Sequence, residues 1–87
     1  MVFDVRDIFQ SAYLTYYANG TTKMENDATG RAIYIGYAEA GTAVNLLKWQ
    51  IRFITYDSVG AVTDIQFASG SAEFKFRWDL RGTYVYS

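Results

Sequence analysis

Three aspartates in the second half of the chain, Asp57, Asp64 and Asp79, are the side chains best suited to acid–base or metal chemistry. Paired carboxylates act as general acid and base, and clusters of carboxylates bind divalent cations. The sequence does not bring any two of the three together with a third ligand. Asp57 also lies in a turn signal, where aspartate accepts local backbone hydrogen bonds. We therefore expect none of the three to be a catalytic or metal-binding residue.

The residues that perform most other enzyme chemistry are missing from the composition. The 87 residues include no His and no Cys, which excludes disulfides, thiolate metal sites, cysteine nucleophiles and an imidazole base. Gly30, Gly36 and Gly41 do not have the spacing of a phosphate-binding loop, and no Gly-Lys-Ser or Gly-Lys-Thr occurs. The sequence therefore predicts a protein that is not an enzyme and that holds no cofactor.

The charge balance argues against nucleic acid as a partner. Eight Lys and Arg stand against nine Asp and Glu, for a net charge of -1, whereas nucleic-acid-binding proteins present a basic surface. Basic and aromatic side chains alternate in residues 48–53, but alternation sends them to opposite faces of a strand, and a nucleic-acid-binding sheet needs them on one face. No apolar run approaches the roughly 18 residues of a membrane span, and the first residues do not resemble a signal peptide. We expect no nucleic-acid partner, no membrane partner, and synthesis in a cytoplasm.

The clearest structural signal is the alternation of apolar and polar side chains in residues 45–56, which is typical of a half-buried β-strand. The apolar positions, expected on one face, are Leu47, Trp49, Ile51 and Phe53, and the polar positions, expected on the other, are Lys48, Gln50 and Arg52. Turn residues separate this strand from shorter extended runs, predicted at 21–26, 31–38, 61–68, 73–78 and 83–86. We expect the run at 61–68 to pair with the long strand.

One segment, Asp4 to Tyr17, has the apolar spacing of an amphipathic helix, with Asp4 as its N-cap and Asn19-Gly20 as its stop signal. The predicted fold class is therefore α+β and β-rich: an antiparallel meander of four to five strands, as a small sheet or partial barrel, with one N-terminal helix. We expect a single domain over residues 1–87, with an N-terminal helical docking segment at 1–20 and the β-meander at 21–87. Within the meander, Gly36 marks a position where a neighbouring backbone should approach closely.

The small size of the chain limits the core that it can form. A 9.9 kDa chain removes roughly 9,000 Å² from water on folding. The apolar part of that area contributes about 135 kcal/mol, and ordering the chain costs about 130 kcal/mol. Because these terms nearly cancel, a partner surface would stabilise the fold. Tyrosine supplies 8 of the 16 aromatic residues, which suits either ordinary sheet packing or a contact surface beyond the monomer. We expect a homo-oligomer or a chain that docks on other subunits.

An ordered set of motifs in residues 30–87 resembles a group of short tailed-bacteriophage virion proteins and fibre-associated modules. The motifs are Ile33-Tyr34-Ile35-Gly36, Gly41-Thr42-Ala43, Trp49-Gln50-Ile51-Arg52, Phe67-Ala68-Ser69-Gly70, Phe74, Trp78-Asp79, Arg81 and Tyr86-Ser87. Two departures are visible: Ala40 stands where the family has proline before its Gly-Thr, and Lys75-Phe76-Arg77 replaces an acidic and amide stretch. The resemblance implies a structural part of a phage particle in the tail, fibre or adaptor region, and it implies no enzymatic activity.

The function predicted from the sequence is that of a non-enzymatic virion structural protein, made in a bacterial cytoplasm and located in the virion. The candidate interface residues are Phe9, Tyr13, Tyr16, Tyr17, Tyr34, Tyr37, Trp78, Asp79 and Arg81. Asp79 and Arg81 are expected to form a structural ion pair, within the terminal segment or across a subunit contact, or to be two separately solvated charges. The alternative is a carbohydrate-binding module on a fibre, in which Tyr34, Tyr37 or Trp78 would stack on a host-surface glycan.

Overall fold

A computed structural model of the chain describes residues 20–87. Its main element is a four-stranded antiparallel sheet in which each strand pairs with the next along the chain. The strands are β1 (Gly20–Asn26), β2 (Ala32–Glu39), β3 (Gln50–Tyr56) and β4 (Val62–Phe67). The pairing of β3 with β4 confirms the partner that the sequence predicts for the run at 61–68.

The two hairpins, β1–β2 and β3–β4, are closed by the same turn. The N–H of Asp27 donates to the carbonyl of Arg31 (2.8 Å), and the N–H of Asp57 donates to the carbonyl of Ala61 (2.9 Å). The Oδ1 atom of each aspartate also accepts two backbone N–H groups inside its own turn. Each turn contains a glycine with a φ of +88° or +90°, a conformation that residues with a Cβ rarely adopt. The Asp-x-x-Gly spacing therefore fixes both turns locally.

The register of the two hairpins is also the same, at residue numbers that differ by 30. Met24 pairs with Ile35 in the first hairpin, and Ile54 pairs with Ile65 in the second. The β-bulge falls at the equivalent place as well, between residues 25 and 26 and between residues 55 and 56. The sheet is thus built from two successive copies of one backbone unit.

One face of the sheet is covered by residues 74–87, which we call the C-terminal cover. Its rings pack on β2 and β3 in a core formed by Ala38, Trp49, Ile51, Ala68, Phe76 and Trp78, with Tyr34, Tyr84 and Tyr86 at the margin. A second cluster includes Ile35, Tyr37 and Ile54, which alternate with the residues of the covered face. The strands of the middle of the sheet therefore bury side chains on both faces.

The α+β fold class predicted from the sequence is wrong, because the described residues are mostly β. The one helical element among residues 20–87 is a short 3-10 helix, Trp78–Thr83. The predicted N-terminal helix, Asp4 to Tyr17, supplied the α part of the class and lies outside the described residues. The class depended on the apolar spacing of that one segment, whereas the regular structure of the described residues consists of paired strands apart from the 3-10 helix. Within residues 20–87, no helix has the length and hydropathy needed to cross a membrane.

The two strands predicted at 73–78 and 83–86 do not form either. Each run contributes only an isolated bridge, from Phe76 to Trp49 and from Tyr86 to Ala68. The alternation of rings in this segment buries them on the sheet face, and the chain must leave the plane of the sheet to bring Trp78 there. The same apolar pattern therefore produces a cover rather than an additional pair of strands.

The long strand starts later than its alternation predicts. β3 begins at Gln50, so Leu47 lies in the preceding loop and is 64% exposed instead of joining the core. Gln50, expected to face water, is buried, and its amide nitrogen donates to the carbonyl of Ala72 (2.7 Å). Arg52 stacks against the rings of Tyr37 and Phe67. The polar face of β3 is therefore occupied by specific contacts.

Candidate functional site

Trp78 anchors the C-terminal cover to the sheet. A Cβ built on Gly36 would come within 2.5 Å of the Cε3 atom of Trp78 and 3.2 Å of a ring carbon of Trp49. The two indole rings lie 6.1 Å apart between centroids, and the Arg81 guanidinium lies 4.6 Å from the centroid of the Trp78 ring. The sequence predicts a close approach at Gly36, and the group that approaches is an indole instead of a backbone. Residue 36 must therefore be glycine for the Trp78 ring to pack on the sheet.

Arg81 joins the cover to the first strand of the sheet. Its Nε atom donates to the Oε1 atom of Glu25 on β1 at 2.7 Å, and its Nη1 atom donates to the carbonyl of Trp78 at 3.2 Å. The hydroxyl of Tyr86 donates to the carbonyl of Arg81 at 2.7 Å. Arg81 therefore connects three parts of the chain. Its guanidinium binds Glu25 on β1 and stacks on the Trp78 ring, and its carbonyl accepts the hydroxyl of Tyr86.

Within one chain, Asp79 and Arg81 do not form the ion pair that the sequence predicts. Asp79 instead receives two hydrogen bonds from Arg77, at 2.9 Å from Nε and 2.6 Å from Nη2. These hydrogen bonds hold the pKa of Asp79 below its usual value and raise the pKa of Arg77. Arg77 directly precedes the 3-10 helix and Asp79 lies in its first turn, and both side chains are partly exposed, so this ion pair lies at the surface of the cover.

Three partly buried rings form a cluster at the margin of the covered face. The ring centroids of Tyr34, Phe53 and Tyr86 are 5.2 to 5.6 Å apart, in tilted arrangements that favour aromatic contact. Burial raises the pKa of Tyr86 well above its usual value, and the neighbouring hydroxyls of Tyr34 and Tyr84 raise it further. The Tyr86 ring is thus held in a packed environment that favours its neutral form.

The residues predicted to form an interface have very different placements. Tyr37 and Trp78 are buried within the chain, so neither presents a ring face to a glycan. Tyr34 and Arg81 are half-buried, and Asp79 is exposed. Four further candidates, Phe9, Tyr13, Tyr16 and Tyr17, lie outside the described residues. The structure brings Trp78 and Arg81 together and leaves Tyr37 in the other cluster of the sheet.

Exposed apolar side chains occur at the end of the sheet opposite the two hairpin turns. The loop between β2 and β3 runs beside the cover, since the N–H of Asp79 donates to the carbonyl of Val44 at 3.1 Å. We call its apolar side chains, together with one neighbour from the 3-10 helix, the loop-end surface: Val44, Leu46, Leu47 and Leu80. This surface was not predicted from the sequence, because the alternation placed Leu47 in the core. The adjacent pair Leu46-Leu47, which breaks the alternation, was the signal that could have shown it.

The carboxylates singled out in the sequence remain apart in the structure. Asp57 accepts the N–H groups of Val59 and Ala61 in its turn, and Asp64 lies exposed on β4 opposite Thr55. Across residues 20–87, no three His, Cys, Asp or Glu side chains are placed to hold a metal ion. In the part of the chain that the structure describes, the carboxylates accept hydrogen bonds in turns, form ion pairs or lie exposed at the surface.

The chain matches no family model, no curated protein and no solved structure.

Proposed function

We propose that this chain is a non-enzymatic structural protein of a bacteriophage virion, located in the tail, a fibre or an adaptor, where it docks on neighbouring subunits. The proposal starts from the resemblance carried by residues 30–87. One structural observation supports it: residues of the resembling motifs, namely Gly36, Trp49, Trp78 and Arg81, hold the C-terminal cover on the sheet. Motif residues that stabilise the fold, and do not form a catalytic site, suit a protein whose function is to contact other subunits.

The loop-end surface supports docking as the mode of action. Val44, Leu46 and Leu47 lie within four consecutive residues, and their exposed fractions are 37%, 43% and 64%. Exposed apolar side chains in a contiguous group are typical of protein contact sites, because burying them against a partner removes apolar area from water. The loop-end surface is therefore the part of the described chain that we expect to contact a neighbouring subunit.

Mass spectrometry of purified particles tests the proposal directly, using a phage whose genome encodes this chain. We expect peptides of the chain in a fixed ratio to the other structural proteins, and antibody label at one site of the particle in electron micrographs. A chain that is abundant in infected cells and absent from purified particles would contradict the proposal.

A pair of variants tests the loop-end surface. We expect Leu46→Ser combined with Leu47→Ser to leave the fold intact and to reduce incorporation into particles. Val59→Ser is the matched control, because Val59 is 86% exposed in the hairpin turn at the other end of the sheet. Equal incorporation of both variants would exclude the loop-end surface from the contact.

A further inference from the structure

The repeated hairpin implies that the two outer edges of the sheet are complementary. Because the second hairpin repeats the first at residue numbers that differ by 30, β3 is the equivalent of β1 and β4 is the equivalent of β2. Inside the chain, β2 pairs with β3 and so joins the first unit to the second. The backbone N–H and carbonyl groups on the outer edge of β4 are therefore arranged like those with which β2 pairs with β3. The groups on the outer edge of β1 are arranged like those with which β3 pairs with β2.

The internal junction specifies the register that such a contact between two copies would have. In β2–β3, Tyr34 pairs with Phe53, Ile35 with Arg52 and Gly36 with Ile51. The equivalent positions for β4 and the β1 strand of another copy are given by the repeat: Asp64 opposite Lys23, Ile65 opposite Thr22 and Gln66 opposite Thr21.

The side chains at these positions fit a contact between copies. The internal junction places two aromatic rings opposite each other, Tyr34 and Phe53, with centroids 5.2 Å apart. The equivalent outer pair is an anion and a cation, Asp64 and Lys23, and both are exposed in the single chain. Opposite charges directly across two antiparallel strands attract, and like charges repel. The charges therefore favour the register that the backbone repeat specifies.

The C-terminal residues show that the edge of β4 accepts a further strand. The N–H and carbonyl of Phe67 both pair with Ser87, at 3.0 and 3.1 Å, and the N–H of Ser69 donates to the carbonyl of Val85. These contacts occupy the end of the edge from residue 67 onward. Because backbone groups alternate in direction along a strand, the N–H and carbonyl of Ile65 point to the same outer side as those of Phe67. The fourth pair of the internal junction, Tyr37 with Gln50, corresponds to Phe67 with Gly20, and Ser87 already occupies Phe67. The contact between copies therefore uses residues 64–66 of the β4 edge.

We propose that copies of this chain associate head to tail, the β4 edge of one copy pairing with the β1 edge of the next, with Asp64 opposite Lys23. The partner is a second copy, because both the register and the charge pairing come from the repeat within this chain. The contact is heterologous, so each added copy presents a fresh β4 edge and assembly continues as a chain or closes as a ring. This inference depends on the hairpin repeat alone and goes beyond the proposed virion role.

If the charges of Lys23 and Asp64 prevented association instead of promoting it, the variants would give the opposite results. Charged residues on outer strands commonly protect a sheet against edge-to-edge association. If Lys23 and Asp64 served that purpose, replacing both by threonine would strengthen self-association. The head-to-tail contact predicts that the same double replacement weakens it.

Cysteine cross-linking of the full chain tests the register. The chain contains no Cys, so Lys23→Cys combined with Asp64→Cys introduces the only pair. Within one copy these positions lie on the two outer strands, about 14 Å apart across three strand spacings and further separated by an offset of about four residues along the strands, too far for a disulfide. Mild oxidation is expected to give a ladder of linked dimers, trimers and larger species. Lys23→Cys with Gln66→Cys is the matched control, on the same face but two residues out of register, and is expected to cross-link several-fold less.

Charge reversal, followed by sedimentation velocity over a range of concentrations, tests the partner. Asp64→Lys and Lys23→Asp are each expected to weaken association by about fivefold, and the double variant that carries both to restore it. Added salt should weaken the wild-type contact.

Four results would overturn the head-to-tail contact: a wild type that is monomeric at every concentration, equal cross-linking of the two cysteine pairs, a double reversal no better than the single ones, or stronger association of the threonine variant. None of these results would remove the chain from purified particles, so they are distinguishable from a failure of the proposed function.

Discussion

The four-stranded sheet and the C-terminal cover reach their structures by different means. The sheet is held by backbone pairing in a register that recurs from one hairpin to the next, and each hairpin is closed by hydrogen bonds within its own turn. The cover pairs through its backbone only at Trp49 and at residues 67–69, and its central contacts with the sheet are made by side chains: Trp78 over Gly36, and Arg81 on Glu25. Local signals therefore determine the sheet, whereas the cover depends on a few contacts between residues distant in sequence.

Removing the anchor of the cover should have the largest effect. We expect Trp78→Ala to lower the free energy of unfolding by about 3–5 kcal/mol, because it deletes a buried indole and leaves a cavity over Gly36. Val85→Ala, at a side chain that is 79% exposed in the same segment, is the control and should change little. Urea unfolding measures both, and similar losses would mean that the cover is not held by Trp78.

A substitution on the sheet side of the same contact should have the next largest effect. Gly36→Ala places a Cβ 2.5 Å from the Trp78 ring, so we expect a loss of about 1–3 kcal/mol. The same substitution in the Trp78→Ala background should cost much less, because the ring that it meets is gone. A cost that is unchanged in that background would show that Gly36 is required for another reason.

The ion pair between sheet and cover should contribute less. Arg81 and Glu25 are partly exposed, and such pairs have a coupling energy of about 0.5 kcal/mol. We expect a double-mutant cycle with Glu25→Gln and Arg81→Gln to give a coupling of that size, and high salt to reduce it. A coupling above about 2 kcal/mol would mean that solvent does not screen this pair as its exposure predicts.

The smallest effect should appear in the pH dependence of the first hairpin turn. Hydrogen bonds from Thr29 and from the backbone of Arg31 hold the pKa of Asp27 below its usual value of 3.8. A carboxyl group with a lowered folded pKa stabilises the protein above about pH 3.8, and that contribution is lost as the pH falls through the folded pKa. We expect Asp27→Asn to make stability less dependent on pH below that value. Acid titration followed by circular dichroism checks it, and a steeper acid loss in the variant would contradict this assignment.

The elements that the sequence predicted well are those fixed by neighbouring residues. The extended runs that became the four strands and the pairing of β3 with β4 follow from short-range turn chemistry and from alternation. Asp27 and Gly30 recur as Asp57 and Gly60, a signal of the equivalent hairpins that the prediction did not use. Only the structure showed that the register recurs with the turns.

The sequence singled out residues of the candidate site but did not predict which residues they contact. Trp78 and Arg81 were predicted to lie at an interface between subunits, and within the chain they hold the cover against the sheet. Arg81 was expected to pair with Asp79, two residues away, but its carboxylate partner is Glu25, 56 residues away. No local pattern selects a partner at that distance, because the choice depends on which strand lies under the cover.

The amino-acid sequence by itself determined where the chain extends and where it turns, since alternation and turn residues act over a few positions. The tertiary structure decided whether the aromatic residues of the last segment would extend the sheet or cover it. Both outcomes satisfy the same alternating pattern, and the cover prevails because Gly36 leaves space on the sheet face for the Trp78 ring. Within residues 20–87, the order of the strands likewise places Lys23 on one outer strand of the sheet and Asp64 on the other.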